Sequence, residues 1–198
     1  MTLKHSYTLI APFYDAFIAG PSARAREENL GRLPREGGLR VLINGIGTGL
    51  DLPYLPRAHC YTGVDLTPAM LRQAESRRDG LCLDLVQGDS LALPFADESF
   101  DHAVLHLILA VVPQPLRCLG ETARVLKPGG SVLIFDKFLR PGQAAPLRRL
   151  LSPLSARMAT RLDVVFEEVL AGVPGLQLES DTPALAGGWF RTIRLVKL

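Results

Sequence analysis

Along the chain, short apolar runs rich in Val, Leu and Ile alternate with segments of helical spacing or turn residues, the pattern of βαβ units around a mainly parallel sheet. The runs predict strands over Arg40–Asn44, Tyr61–Asp65, Cys82–Gln87, His102–Leu107 and Ser131–Asp136, and their near-continuous hydrophobicity suits strands covered on both faces. Between the second and third, Thr67 followed by Pro68 marks a helix start, since a threonine oxygen can cap free N–H groups and proline needs none. Met70, Leu71 and Ala74 give that helix its inner face. A second helix, Leu116–Leu126, ends at Lys127-Pro128-Gly129-Gly130, where proline stops the helix and glycine permits the left-handed turn into a strand. Leu176–Glu179 and Trp189–Val196 read as two further strands joined through Pro183, Gly187 and Gly188, with the spacing of an antiparallel hairpin. Seven strands result.

A chain of 198 residues that is 47% hydrophobic and 21% charged has material for one sizeable core. A single domain over 1–198 is expected, with a helical cap over 1–36, a core over 37–136, and helices plus the hairpin over 137–198. The net charge of +2 gives no global attraction to nucleic acid. Cys60, Cys82 and Cys118 are odd in number and widely spaced, so they read as small buried apolar residues in a reducing compartment, with no disulfide framework and no metal knuckle. The N-terminal MTLKHSYTLIAPFYD has no uninterrupted apolar region of signal-peptide type, and a cytoplasmic location is expected. The longest apolar run, Ala103 to Val112, is about half the ~20 residues that span a bilayer and belongs in a core.

The first strand runs straight into Gly45-Ile46-Gly47-Thr48-Gly49, at the carboxyl edge of the sheet where such folds bind ligands. A backbone without β-carbons lets a nucleoside-containing ligand lie against the main chain. Alone, such a turn is as often merely tight. The second strand, however, ends in Asp65, twenty residues beyond Gly45, where a carboxylate can accept hydrogen bonds from both ribose hydroxyls. Leu50 occupies the place of the third glycine in the dinucleotide fingerprint, and no Gly-Lys-Ser or Gly-Lys-Thr follows, which argues against nicotinamide or flavin dinucleotides and against a triphosphate loop.

With these residues in view, the chain resembles the class I S-adenosylmethionine-dependent methyltransferases over most of its length. Val41-Leu42-Ile43-Asn44-Gly45-Ile46-Gly47-Thr48-Gly49 is similar to their first motif and Val64-Asp65-Leu66-Thr67-Pro68-Ala69-Met70-Leu71 to their second. Gly88-Asp89-Ser90 with Leu93-Pro94-Phe95 is similar to the third, and Arg124-Val125-Leu126-Lys127-Pro128-Gly129-Gly130 to the turn after the next helix. The resemblance implies an α/β fold with a Rossmann-like, seven-stranded, mostly parallel sheet, helices on both faces and an antiparallel last strand. It implies S-adenosylmethionine as cofactor, Asp65 on its ribose, Leu66 and Met70 flanking the adenine, and Asp89 with the Ser90 backbone on the adenine amino edge. Gly45, Gly47, Thr48 and Gly49 would form the turn beneath it. Asn44 stands where the family usually has an acid just before the first glycine; a neutral amide there implies weaker cofactor affinity. The segment around Tyr7, with Ala11-Pro12-Phe13-Tyr14-Asp15 and Gly20-Pro21, is similar to that of the phospholipid N-methyltransferases and the ubiquinone and menaquinone C-methyltransferases. That likeness would put the Tyr14 phenol on the cofactor's carboxylate and Tyr7 against the acceptor.

His106, at the carboxyl end of the fourth strand, is the candidate, alongside Tyr14, for a catalytic role: positioning the acceptor or taking its proton, close to the cofactor. The Leu107-Ile108-Leu109 that follows lacks the Pro-Pro-aromatic grip on planar amides and amines, so a lipid amine, a quinol-like ring or another small acceptor is expected. From 137 to 162, Lys137, Arg140, Arg148, Arg149, Arg157 and Arg161 alternate with leucines without an acid, a cationic amphipathic face suited either to solvent or to peripheral contact with an anionic membrane. No metal is expected, and oligomeric state is left open. Two rival readings stand beside methyl transfer: a non-catalytic cofactor-binding or interaction protein, favoured by Asn44, and a dinucleotide-dependent oxidoreductase, opposed by Leu50.

Overall fold

The computed structural model describes residues 19–142 and 163–198. A helix over residues 19–30 (α1) precedes the sheet. The strands are β1 (Arg40–Asn44), β2 (Cys60–Asp65), β3 (Cys82–Gln87), β4 (Phe100–His106), β5 (Leu126–Lys137), β6 (Leu176–Leu185) and β7 (Phe190–Lys197). Helices α2 (Pro68–Ser76), α3 (Pro115–Val125) and α4 (Phe166–Ala171) lie between them. One sheet results, in the order β3-β2-β1-β4-β5-β7-β6. β1 to β5 pair in parallel, and β7 is antiparallel to both neighbours.

The period of two along the central strands sorts side chains to two layers. Leu42, Ala103, Leu105, Val132 and Ile134 face a core shared with Cys118, Leu119 and Ala123 of α3 and Phe166 and Val169 of α4. Val41, Ile43, Val104 and Leu133 face the other way, onto Leu30 of α1 and Ala74 of α2. Because both faces are covered, these strands read as unbroken apolar runs.

Every expected strand is present, and the differences lie at the ends. β5 begins five residues earlier than its apolar run, since Leu126 pairs with Phe100 before the register shifts. β6 runs to Leu185 and takes in Pro183, which the sequence suggested for the loop; a proline is tolerated there because β6 is an edge strand whose register shifts beside it. Cys60 and Cys82 correct the reading of all three cysteines as buried. They face each other in register at the exposed start of β2 and β3, with Cα atoms 4.8 Å apart, and form a disulfide. Only Cys118 is the buried, free thiol expected among the three, and burial pushes its pKa up to about 12. Lys137, expected on a cationic face, is instead buried, with its ammonium over the Phe190 ring. Arg148, Arg149, Arg157 and Arg161, like Tyr7 and Tyr14, lie outside the described residues. Among the described residues, no helix is long and apolar enough to cross a membrane.

Candidate active site

At the carboxyl edge of the sheet the chain leaves β1 through a turn in which Gly45, Gly47 and Gly49 all have positive φ, between +56° and +82°. Two of the three serve packing as well as conformation. A β-carbon on Gly45 would meet Ile108 at 2.7 Å, and one on Gly49 would meet Leu52 at 2.8 Å and the α2 backbone at Ala74 at 3.0 Å. At Gly47 a β-carbon would meet nothing within 4 Å among the described residues, and its main chain faces the cleft above.

That cleft has a volume of about 310 Å³, within the range of small-molecule sites. Of the residues expected to hold a cofactor, Gly45, Gly47, Thr48, Asp65, Leu66, Met70, Asp89, Ser90 and His106 line it together. Asn44 and Gly49 do not. Asn44 is fully buried and turns away toward α3, where Nδ2 donates to Thr122 Oγ1 at 3.1 Å and to Cys118 Sγ at 3.6 Å. Among the described residues its Oδ1 has no hydrogen-bond partner. The amide therefore clamps β1 to α3, and a charge at this side chain would be buried rather than offered to a ligand.

Asp65 ends β2 with its carboxylate already oriented: Oδ2 accepts the Gly47 N–H at 3.0 Å and Oδ1 the Thr67 N–H at 2.8 Å. Burial pushes its pKa up, outweighing these bonds. Asp89 accepts the Leu91 N–H at 2.9 Å, which folds the turn after β3 and leaves its outer edge to solvent. The turn is held against α3 by Glu121, whose Oε2 accepts the Leu93 N–H at 2.8 Å, and by Arg124, which donates to the carbonyls of Leu93 and Phe95. Asp136, fully buried on β5, secures the opposite wall by accepting the Ala110 N–H at 3.0 Å. That wall, Ile108, Val111, Val112 and Pro113, is apolar.

His106, the candidate for positioning the acceptor or taking its proton, lines the cleft with both ring nitrogens turned to protein partners. Nε2 lies 3.0 Å from Asn29 Nδ2, and Nδ1 lies 2.7 Å from Asp51 Oδ1. Asn29 Nδ2 also donates to the Ile134 carbonyl at 3.1 Å, which fixes which way the amide faces. With that amide orientation Nε2 faces a donor and Nδ1 faces a carboxylate oxygen, so both ring nitrogens are engaged within the protein. Asp51 Oδ1 accepts in addition from Arg26 Nη1 at 2.7 Å, and Arg26 Nε donates to Ser22 Oγ at 3.0 Å. Burial alone would push the Asp51 pKa up; His106 and Arg26 outweigh it and hold the carboxyl well below the usual range. Sequence reading missed Arg26, Asn29 and Asp51. Ser22, Arg26 and Asn29 recur at helical spacing among the buried Ala25 and Leu30, and polar residues on an inward face were the available signal.

A parallel sheet, a bare glycine turn and a carboxylate on the neighbouring strand define a nucleoside-binding α/β enzyme. Residues 42–134 match the family described as Methyltransferase domain. Phosphatidylethanolamine N-methyltransferase of Cereibacter sphaeroides is 34% identical over 186 residues, covering 91% of both chains. Demethylmenaquinone methyltransferase of Renibacterium salmoninarum is 34% identical, covering 64% of this chain and 55% of its own length. A solved S-adenosylmethionine-dependent methyltransferase of Thermotoga maritima, described as a possible histamine N-methyltransferase, superposes with a TM-score of 0.74, at 20% identity, over 99% of this chain and all of that one. The chain belongs to the S-adenosylmethionine-dependent methyltransferases. It is an enzyme of that class, with S-adenosylmethionine as its cofactor.

Proposed function

We propose that this enzyme transfers a methyl group to the amine of an ethanolamine phospholipid. The observation that carries the reading is the extent of likeness: the phosphatidylethanolamine enzyme is matched end to end over 91% of each chain, whereas this chain spans only 55% of the demethylmenaquinone relative. The site is consistent with it.

The residues fit the cofactor. Gly47 offers bare main chain, and Asp65 is preset as an acceptor for ribose hydroxyls. Asp89 and Ser90 line the cleft and would read the adenine amino edge, with Leu66 and Met70 against its faces. When bound, S-adenosylmethionine supplies a methyl already activated on a sulfonium. The chain's own contribution is alignment and exclusion of water. Ile108, Val111, Val112 and Pro113 form a dry wall, which suits a step in which positive charge disperses between sulfur and nitrogen. With both ring nitrogens engaged, His106 serves as a positioning group, so the amine enters the reaction neutral. The arginines of 137–162 would draw the protein to anionic lipid.

The test is methyl transfer from labelled cofactor to vesicles containing phosphatidylethanolamine, beside a demethylated quinol and a lipid without an amine, with and without anionic lipid. Label in monomethylated phosphatidylethanolamine is the expected product. Label confined to the quinol, or absent from every arm, overturns the lipid reading.

A further inference from the structure

The sheet order sets the tips of the parallel strands in a row: Asp89 and Ser90 after β3, Asp65 ending β2, the glycine turn after β1, His106 ending β4, and Lys137 ending β5. The cleft takes in all of these but the last. Side chains two apart on a strand share a face, so Lys137 follows Phe135 on the face where Phe135 packs against Ala25 of α1 and Leu107. Leu107 also lines the cleft. The Phe135 ring lies 5.8 Å from that of Phe190, and Lys137 Nζ lies 6.0 Å from the Phe190 ring. Apolar side chains thus lead from the cleft to an ammonium. Lys137 is only 8% exposed, and among the described residues its Nζ forms no hydrogen bond or ion pair. Its neighbour Asp136, on the opposite face of β5, spends Oδ1 on the Lys137 N–H and Oδ2 on the Ala110 N–H. A ring face beneath an ammonium returns only part of what burial takes from it; an anion would return the rest.

We propose that Lys137 binds a phosphate on the acceptor and so selects an amine carried two carbons away from a phosphate ester, the chemistry of an ethanolamine headgroup. The inference rests on the function proposed above. If the cofactor occupies the tips from β3 to β1, the amine meets it near β4. The tip of β5 lies one strand spacing further on, about 4.8 Å. An ethanolamine arm, in which two carbons and an ester oxygen separate nitrogen from phosphorus, covers that step. The arm is apolar where Leu107 and Phe135 are apolar, and its anion falls at the buried ammonium. A lysine ammonium has three donors and is a compact charge, which suits a phosphate without demanding one orientation of it. A quinol ring has no anion to offer there, so the same residue discriminates between the two acceptor chemistries of the relatives.

The test compares Lys137→Met with the wild type on three acceptors: phosphatidylethanolamine in neutral vesicles, a long-chain primary amine without phosphate in the same vesicles, and soluble phosphoethanolamine. Lys137→Met is expected to raise KM for the phospholipid about 10- to 100-fold, the range for a lost charge-assisted hydrogen bond, with kcat within about threefold. The plain amine should be a poor acceptor for both enzymes, with kcat/KM alike within about twofold. Lys137→Arg should recover part of the loss. Calorimetry gives a readout apart from turnover: with S-adenosylhomocysteine bound, glycerophosphoethanolamine should bind the variant about tenfold or more weakly than the wild type. Equal affinity of the two enzymes for S-adenosylhomocysteine shows that the variant is folded; where methionine is not accepted, Lys137→Gln takes its place. An unchanged KM with unchanged glycerophosphoethanolamine binding, or equal losses on the phospholipid and the plain amine, overturns the phosphate site and leaves the lipid reading standing. Methylation of soluble phosphoethanolamine in place of the lipid, with the same dependence on Lys137, supports the site and assigns it to a free ester. If the wild type methylates neither phosphate-bearing acceptor, the proposed function falls and the site with it.

Discussion

The two edges of the parallel sheet are built from the opposite ends of the same strands, yet they are finished in different ways. At the amino edge, β2 and β3 are joined by the Cys60–Cys82 disulfide, and Asp101 accepts from Lys127 Nζ at 2.7 Å and from the Arg40 N–H at 2.8 Å. Partners there are exposed or half-exposed, and every bond closes on the protein itself. At the carboxyl edge, polar groups are desolvated around a bare glycine turn: Asp51 and Arg26 are buried outright, and Asp65 is pushed up by burial. One edge is a seam; the other, on the function proposed above, is a receptor. Exposed pairs contribute little and tolerate loss, whereas buried, oriented groups are costly unless a ligand uses them.

The comparison breaks if chemistry and stability do not separate by edge. The largest effect expected is at Asp65: replacing it by alanine removes two ribose acceptors, a loss of about 3–6 kcal/mol in cofactor binding by the usual worth of hydrogen bonds to charged groups. Titration calorimetry with S-adenosylhomocysteine checks it. Replacing Cys60 and Cys82 together by serine opens a cross-link between residues 22 apart and should lower stability by about 3 kcal/mol. The measurement is denaturant unfolding without reductant, and cofactor affinity should not move.

Gly47→Ala and Gly129→Ala form a finer pair. Both glycines have positive φ, +56° and +76°, and neither would place a β-carbon within 4 Å of another atom. Each substitution should cost about 1–2 kcal/mol of stability for the left-handed backbone, but only the Gly47 variant should weaken cofactor binding, since only its β-carbon enters the cleft. Equal binding by the two variants would remove the glycine turn from the site.

The smallest effect is in pH dependence, and its sign differs between edges. Burial raises the Asp65 pKa, so its contribution to stability is complete below the ordinary carboxylate range and is lost as pH rises through the raised value. At Asp101 burial also pushes upward, but the Lys127 ammonium and the Arg40 N–H outweigh it and lower the pKa. Its contribution is present above the ordinary range and lost as pH falls through the depressed value. Relative to wild type, Asp65→Asn should therefore gain stability on going from acid to neutral pH, and Asp101→Asn should lose it. Thermal melts across that interval decide the matter; parallel trends would contradict the burial difference.

How much of this could be read beforehand follows from range. The strands were legible because burial on both faces leaves a local signature, as in Val41-Leu42-Ile43. That the glycine turn and Asp65 meet was legible because consecutive parallel strands bring their carboxyl ends to one edge at a fixed spacing. The Cys60–Cys82 bond was not, because it depends on β2 and β3 being neighbours in register, a fact of the sheet rather than of either segment. The same holds for Asn44, where adjacency to the glycines suggested a ligand and only α3, with Thr122 78 residues away, shows where the amide points. His106 was found by position, but its partners Asn29 and Asp51 lie 77 and 55 residues off, and they decide what its nitrogens can do.

The bond from Asn29 to the Ile134 carbonyl spans 105 residues. As a nascent chain grows from its amino end, α1 is made before β5, and its polar face has no seat until β5 is in place. The cleft floor is thus closed by contacts distant in sequence, and fragments that stop short of β5 would carry every glycine of the turn without the scaffold that gives the turn its use.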